Sequence, residues 1–177
     1  MSKARRTAGH RVGILVFDGV RLLDVAGPTE VLSEANRHGT DYDLVLCSPD
    51  GSEVVSSTGQ RIPVDAAAEM PGAVFDTVFV MGGDLFPSHA ASVELLAAAR
   101  AMASATRRLC SVCTGAFVLA GAGLLDGHRA TTKTRRACVG TPVRGMKVLG
   151  ARGFRWWCSA TKTNRVAAAR IGTLNRM

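Results

Sequence analysis

The sequence predicts an α/β protein with a mainly parallel sheet covered on both faces. Three observations carry this. Strand and helix signals alternate along the chain as far as residue 132, the pattern of repeated strand–helix–strand units. The strand-like runs are apolar throughout instead of alternating, which marks strands buried on both faces. Of 177 residues 47% are hydrophobic and 20% charged, enough apolar material for one sizeable core but short for two independent domains.

Val12 to Phe17 is a continuous apolar, β-branched run stopped by Asp18-Gly19, and it predicts the first sheet strand. Gly27-Pro28 opens a helix to about Arg37, with proline tolerated in a first turn and Gly39 as its stop. Tyr42 to Cys47 is the next strand, Glu53 to Ile62 a small hairpin around Thr58-Gly59, and Asp76 to Met81 another buried strand ended by Gly82-Gly83-Asp84. Val93 to Ala103 has helical spacing and strong Ala/Leu propensity. Arg108 to Val112 then reads as a strand, followed without a linker by a helix over Gly115 to Leu124.

The net charge of +8 is distributed unevenly. Residues 1–126 carry 10 Lys and Arg against 14 Asp and Glu, a net −4; residues 127–177 carry 12 against none, a net +12. The basic balance therefore belongs to the tail, and the body reads as a mildly acidic α/β protein. Three segments follow: a basic N-terminal extension (1–10), an α/β domain (11–132) and an acid-free basic tail (133–177). The longest apolar runs are strand-length, far below the roughly 20 residues of a membrane-spanning helix, and no secretory cleavage pattern follows the basic start. Cytoplasmic location without membrane contact is the expectation. Five cysteines without an export signal predict free thiols, and four scattered histidines with no ligand spacing predict no metal.

Ser111-Val-Cys113-Thr-Gly115 is the sharpest local signal: a strand that stops at a cysteine and turns at once into a helix. This is nucleophile-elbow patterning with sulfur, in which the positions two before and two after the nucleophile must be small, as Ser111 and Gly115 are. The helix N–H groups are expected to favour thiolate at Cys113, and with an N–H from the Gly82-Gly83 turn they can face an oxyanion. The competing reading makes Cys113 a small buried hydrophobe at a strand end. Cys110-Ser-Val-Cys113 also spells a dithiol spacing, but Cys110 would lie inside the strand, facing the opposite side of the sheet. Asp24, flanked by Leu23 and Val25, falls between the first strand and first helix, at the sheet end where ligands bind; it reads equally as a carboxylate complementing a helix dipole.

Four motifs in order carry a family resemblance: Ile14-Leu-Val-Phe-Asp-Gly-Val-Arg-Leu-Leu-Asp-Val-Ala-Gly-Pro28, the Gly82-Gly83 turn, Ser111-Val-Cys-Thr-Gly-Ala-Phe117, and Gly123-Leu-Leu-Asp-Gly127 with Arg129-Ala-Thr-Thr132. Over residues 11–132 the chain resembles the ThiJ/PfpI family of the class I glutamine amidotransferase-like superfamily. Phe17-Asp-Gly with Glu34-Ala-Asn-Arg37 resembles most the amidase-like N-terminal domain of AraC-type transcription regulators, and isonitrile hydratase is a close relative. The resemblance implies a flavodoxin-like three-layer sandwich, a homodimer, no cofactor, and a small-molecule ligand or substrate. It also implies Cys113 as nucleophile, Asp24 hydrogen-bonded to it, Thr114 placing an intermediate, and the N–H groups of Gly83 and Thr114 facing the oxyanion.

Two departures stand beside it. The family places His-Trp after Ala-Thr-Thr, where this chain has Lys133 and Thr134. No further strand or helix signal is read beyond Thr132, so the sheet is expected to be truncated at its C-terminal end and marginally stable. The 45 remaining residues are too few for the regulators' helix-turn-helix part. The tail, with Arg135-Arg136 and Phe154-Arg-Trp-Trp157, reads either as a shifted reading frame, which the abrupt break inside a motif favours, or as a basic arm contacting nucleic acid. Three functions follow as expectations: a ligand-sensing domain of an AraC-type regulator lacking its DNA-binding part, a cysteine-dependent hydratase or amidase, and a nucleic-acid binder acting through its tail.

Overall fold

The computed structural model describes residues 9–70, 72–84 and 90–128, together with the backbone of one strand at 157–161. The elements run β1 (His10–Leu15), α1 (Leu22–Arg37), β2 (Tyr42–Ser48), β3 (Val54–Val55), β4 (Arg61–Ile62), β5 (Ala66–Ala67), β6 (Phe75–Val80), α2 (Val93–Ser104), β7 (Thr106–Val112), α3 (Gly115–Gly121) and β8 (Trp157–Thr161). The main sheet is ordered β5-β2-β1-β6-β7-β8, and β3 and β4 form a separate antiparallel hairpin. Every pairing among β5, β2, β1, β6 and β7 is parallel.

The core divides into one apolar layer on each face of the sheet. Ile14, Val16, Phe79 and Met81 pack with Val25 of α1 and with Val54 and Ile62 of the hairpin. Leu15, Val78 and Val80 pack on the other face with Leu95, Ala98 and Met102 of α2 and Val118 and Leu119 of α3. Alternate residues of one strand thus enter opposite layers, which is why the buried carboxyl-terminal halves of β1 and β6 carry apolar side chains on both faces. Each Val or Leu so buried contributes about 1.5–3 kcal/mol. This is the three-layer arrangement expected from the sequence.

Four elements differ from the sequence reading, the first being β5 (Ala66–Ala67), a short edge strand of the main sheet where no element was expected. Helix α1 starts at Leu22, before Gly27-Pro28, and Pro28 lies buried inside it. The chain is already fixed at Arg21, whose N–H donates to Gly82 O at 2.9 Å, so the first turn forms ahead of the proline. Pro28 has no N–H to return to the carbonyl four residues back, that of Asp24, and its ring crowds the same group. Asp24 therefore sits in the helix's first turn and not in a connecting loop. Helix α3 ends at Gly121, short of Leu124, because Gly123 takes a left-handed φ of +75° and Leu124 N–H turns back to Leu119 O at 2.9 Å. Finally, β8 lies beyond the point where no element was expected. It pairs antiparallel with β7, Ser111 opposite Cys158 and Val112 opposite Trp157. The readings placed on Lys133, Thr134 and the rest of the tail fall outside the described residues.

Strand order also fixes where a ligand site can form. From β1 the chain moves outward to β2, whereas β6 lies on β1's other side. The connections leave in opposite directions at the carboxyl ends of β1 and β6, opening the position where α/β sheets bind ligands. Asp24 follows β1, Gly82 and Gly83 follow β6, and Cys113 follows β7.

Candidate active site

Cys113 stands directly after β7 with φ +52°, the one non-glycine residue in the left-handed region among the described residues. Holding a side chain there costs about 1–3 kcal/mol, and the surroundings must enforce it. Gly115 shows how. A Cβ at Gly115 would overlap Val80 O and come within 2.8 Å of Met81 O, so the first turn of α3 rests directly on the backbone ending β6. Ser111, buried in β7 opposite Val80, is the small residue on the other side. Gly115 is thus packed where a side chain does not fit, and Ser111 is buried beside it in β7.

Asp24 is 5% exposed, and its side chain shares a hydrogen bond with Cys113. Its Oδ2 is buried with no hydrogen-bond partner among the described residues. Burial pushes the Asp24 carboxyl above its ordinary range, opposed by the thiol's hydrogen bond and then by the Arg21 charge. Cys113, half-buried, is also pushed up, first by burial and then by the Asp24 charge; Thr114 N–H and Arg21 act against this without reversing it. The expectation of a favoured thiolate is therefore corrected. Helix α3 has seven residues and brings essentially one N–H to the sulfur, whereas desolvation and a neighbouring carboxylate both favour the proton. Both effects oppose ionisation of the Cys113 thiol.

The junction of the site is Gly82. A Cβ there would overlap Asp24 Oδ2, stand 2.7 Å from Cys113 Cβ and 3.0 Å from Thr114 N. The sequence reading found the Gly82-Gly83 turn and named Gly83; two side chains, Asp24 and Cys113, and the backbone nitrogen of Thr114 converge on Gly82. Gly83 N–H donates to Thr114 Oγ1 at 2.9 Å, and the same hydroxyl donates to Gly83 O at 2.9 Å. This reciprocal pair clamps the turn to the elbow. It also directs Gly83 N–H at Thr114 and commits the buried Thr114 hydroxyl, leaving Thr114 N–H as the donor acting on the sulfur.

Around the junction the connections are laced together. Val20 bridges Gly83, Asp84 N–H donates to Gly19 O at 2.9 Å, and Gly19 N–H donates to Val55 O at 2.7 Å. Asp18 accepts from Val55 N–H at 2.8 Å, which hangs the hairpin from the β1–α1 connection. Arg21 Nη2 meets Asp84 Oδ1 at 3.0 Å above the turn. Neither Arg21 nor Asp84 was singled out from the sequence, although Arg21 lies three residues before Asp24 and so on one side of a helical turn. Cys110 is buried in the apolar layer against which Cys113 packs, which corrects its expected place on the opposite side of the sheet. Among the described residues no helix is long and apolar enough to cross a membrane.

Residues 10–140 match the model of the DJ-1/PfpI family. The chain is 55% identical over 127 residues to a Streptomyces lividans protein named "Uncharacterized protein in cpoL 5'region", covering 71% of this chain and 89% of that one. It is 37% identical to isonitrile hydratase of Pseudomonas putida, over 69% of this chain and 51% of the enzyme. It is 38% identical to the HTH-type transcriptional regulator GbdR of Pseudomonas aeruginosa, over 66% of this chain and 32% of the regulator. The chain thus spans about half of the hydratase and a third of the regulator. Among solved structures, a ThiJ/PfpI family protein from Pseudomonas syringae superposes with TM-score 0.61 at 25% identity, over 71% of this chain and 50% of that one. An AraC family transcriptional regulator from Pseudomonas putida superposes with TM-score 0.68 at 21% identity, over 91% and 84%, a likeness of fold alone. With its flavodoxin-like α/β sheet and a cysteine elbow at the sheet's carboxyl edge, the chain belongs to the DJ-1/PfpI family.

Proposed function

We propose that this domain senses a small molecule, in the manner of a regulator's ligand-binding half, with Cys113 and Asp24 lining the binding site. The observation that carries the reading is the resting state of the elbow. The cysteine is held in a strained conformation and only half-buried, yet burial and the Asp24 charge push its thiol pKa up, and Gly83 N–H is occupied by Thr114. Such a site recognises a ligand's polar group without being poised to attack it. The relatives that are HTH-type regulators support the same assignment.

A second reading is kept because the same three residues suit chemistry and because one relative is an isonitrile hydratase. In it, Asp24 accepts the Cys113 proton as sulfur attacks an isonitrile carbon and passes that proton to the carbon, giving a thioimidate. Water then adds to the thioimidate carbon, and the thiol leaves with a returned proton, releasing a formamide. Gly83 N–H would have to part from Thr114 before it could face a developing negative charge. Cyclohexyl isocyanide separates the readings: its infrared C≡N stretch is followed with wild type and Cys113→Ala. Turnover lost in the variant establishes the enzyme. Saturable thermal stabilisation by small amides, carboxylates or isonitriles without turnover establishes the sensor. Neither response would reject Cys113 as a ligand-site residue. A homodimer accords with the exposed Leu22, Leu23 and Val31 of α1. Contact of the acid-free tail with nucleic acid is a separate proposal, tested by salt-dependent binding that disappears on truncation after Thr132.

A further inference from the structure

Among the described residues Arg21 is a cation within electrostatic reach of Asp24 and Cys113, and nothing in the proposed function uses it. Arg21 caps α1 one turn before Asp24, and its backbone is pinned to the junction through Gly82 O. Its guanidinium makes a single side-chain contact among the described residues, Nη2 to Asp84 Oδ1 at 3.0 Å, and each side chain is 54% exposed. A solvent-screened pair of this kind contributes little to stability. A guanidinium offers five donors in a planar fork that matches a carboxylate through two parallel bonds. Exchanging Asp84 for a bidentate carboxylate therefore costs little and gains a contact.

Asp84 shows in addition which chemistry the fork accepts and from which side. Its N–H is fixed to Gly19 O, so its carboxylate is presented to Arg21 from the turn that also carries Gly82 and Gly83. The inner end of the site is equally unfinished: Asp24 Oδ2 is buried without a partner among the described residues, a position that a polar ligand group can complete. We propose that Arg21 is the specificity-determining residue of this site and selects a small carboxylate, whose anionic end replaces Asp84 on the guanidinium while its other end reaches Cys113. The inference rests on Cys113 lining the ligand site. Arg21's charge is felt at both Asp24 and Cys113, so the fork lies within electrostatic reach of the reacting sulfur.

Two thiol reagents of nearly equal shape test this on the full chain: iodoacetate carries the carboxylate and iodoacetamide is neutral. In each case a carbon–sulfur bond forms at Cys113, iodide leaves and the thiol proton goes to buffer. Peptide mass spectrometry follows Cys113 alone. The ratio of the two rate constants cancels any change in thiol ionisation, since both reagents meet the same sulfur. The ratio of iodoacetate to iodoacetamide should fall about tenfold in Arg21→Gln, the equivalent of about 1.4 kcal/mol. It should recover in part in Arg21→Lys, and rise in Asp84→Asn, which removes the internal competitor. A ratio unchanged in Arg21→Gln or Asp84→Asn overturns the role of Arg21 while leaving the site intact. Failure of both reagents to modify Cys113 overturns the site itself, and this inference with it.

Discussion

At Cys113 strain and ionisation are separable, and two substitutions separate them. Glycine adopts φ +52° without penalty, whereas alanine keeps the strain of a Cβ. Cys113→Gly is therefore expected to exceed Cys113→Ala in stability by about 1 kcal/mol, read from urea unfolding midpoints. Asp24→Asn removes the charge that opposes thiolate, so the apparent thiol pKa, followed by the pH dependence of alkylation, should fall. Stability should respond as well. The native carboxyl is held above its unfolded value of about 3.9, so the native state keeps a proton that the unfolded chain has released. Wild-type stability then falls as pH rises from about 4 through the raised value, and levels off above it. Asp24→Asn lacks that loss, so the melting-temperature difference between the two proteins should shift in the variant's favour over this window. A pH-independent difference would mean that the carboxyl titrates normally.

At the scale of elements, contact between α3 and the end of β6 decides whether the elbow forms. Gly115→Ala drives a methyl group into Val80 O, and the helix must lift or the strand end must yield. A loss of about 1–3 kcal/mol in urea unfolding is expected, together with a changed Cys113 alkylation rate. Ser111-Val-Cys-Thr-Gly115 was legible in the sequence because the geometry is local: a strand end, a turn and a helix start within five residues. The beginning of α1 was not, because Gly82 O, which holds Arg21, lies some sixty residues away in the chain. The same reason hid the convergence on Gly82, which involves Asp24, Cys113 and Thr114. The thiol's proton was misjudged because helix direction is visible in sequence, whereas desolvation and the nearness of Asp24 are tertiary facts.

For the molecule as a whole, what matters is the edge that β7 would otherwise present. β8 covers that edge antiparallel from Val112 to Arg108, the strand that aims Cys113. Truncation after Thr132 exposes the β7 ladder, so the shortened protein should associate at concentrations where the full chain does not, as light scattering would show. Replacing Leu23, 67% exposed on α1, with lysine should weaken a homodimer formed through that helix, and sedimentation velocity would report the change. Gly82 has a consequence of another order. Because the residue where the working groups meet has no side chain, it contributes nothing to ligand preference and leaves no room to vary. The rim at Arg21 and Asp84 is held largely by main-chain bonds, which do not depend on side-chain identity. A protein so divided can change its rim while keeping the Cys113 elbow, so exchanging rim residues with a relative should alter ligand preference without rebuilding the interior.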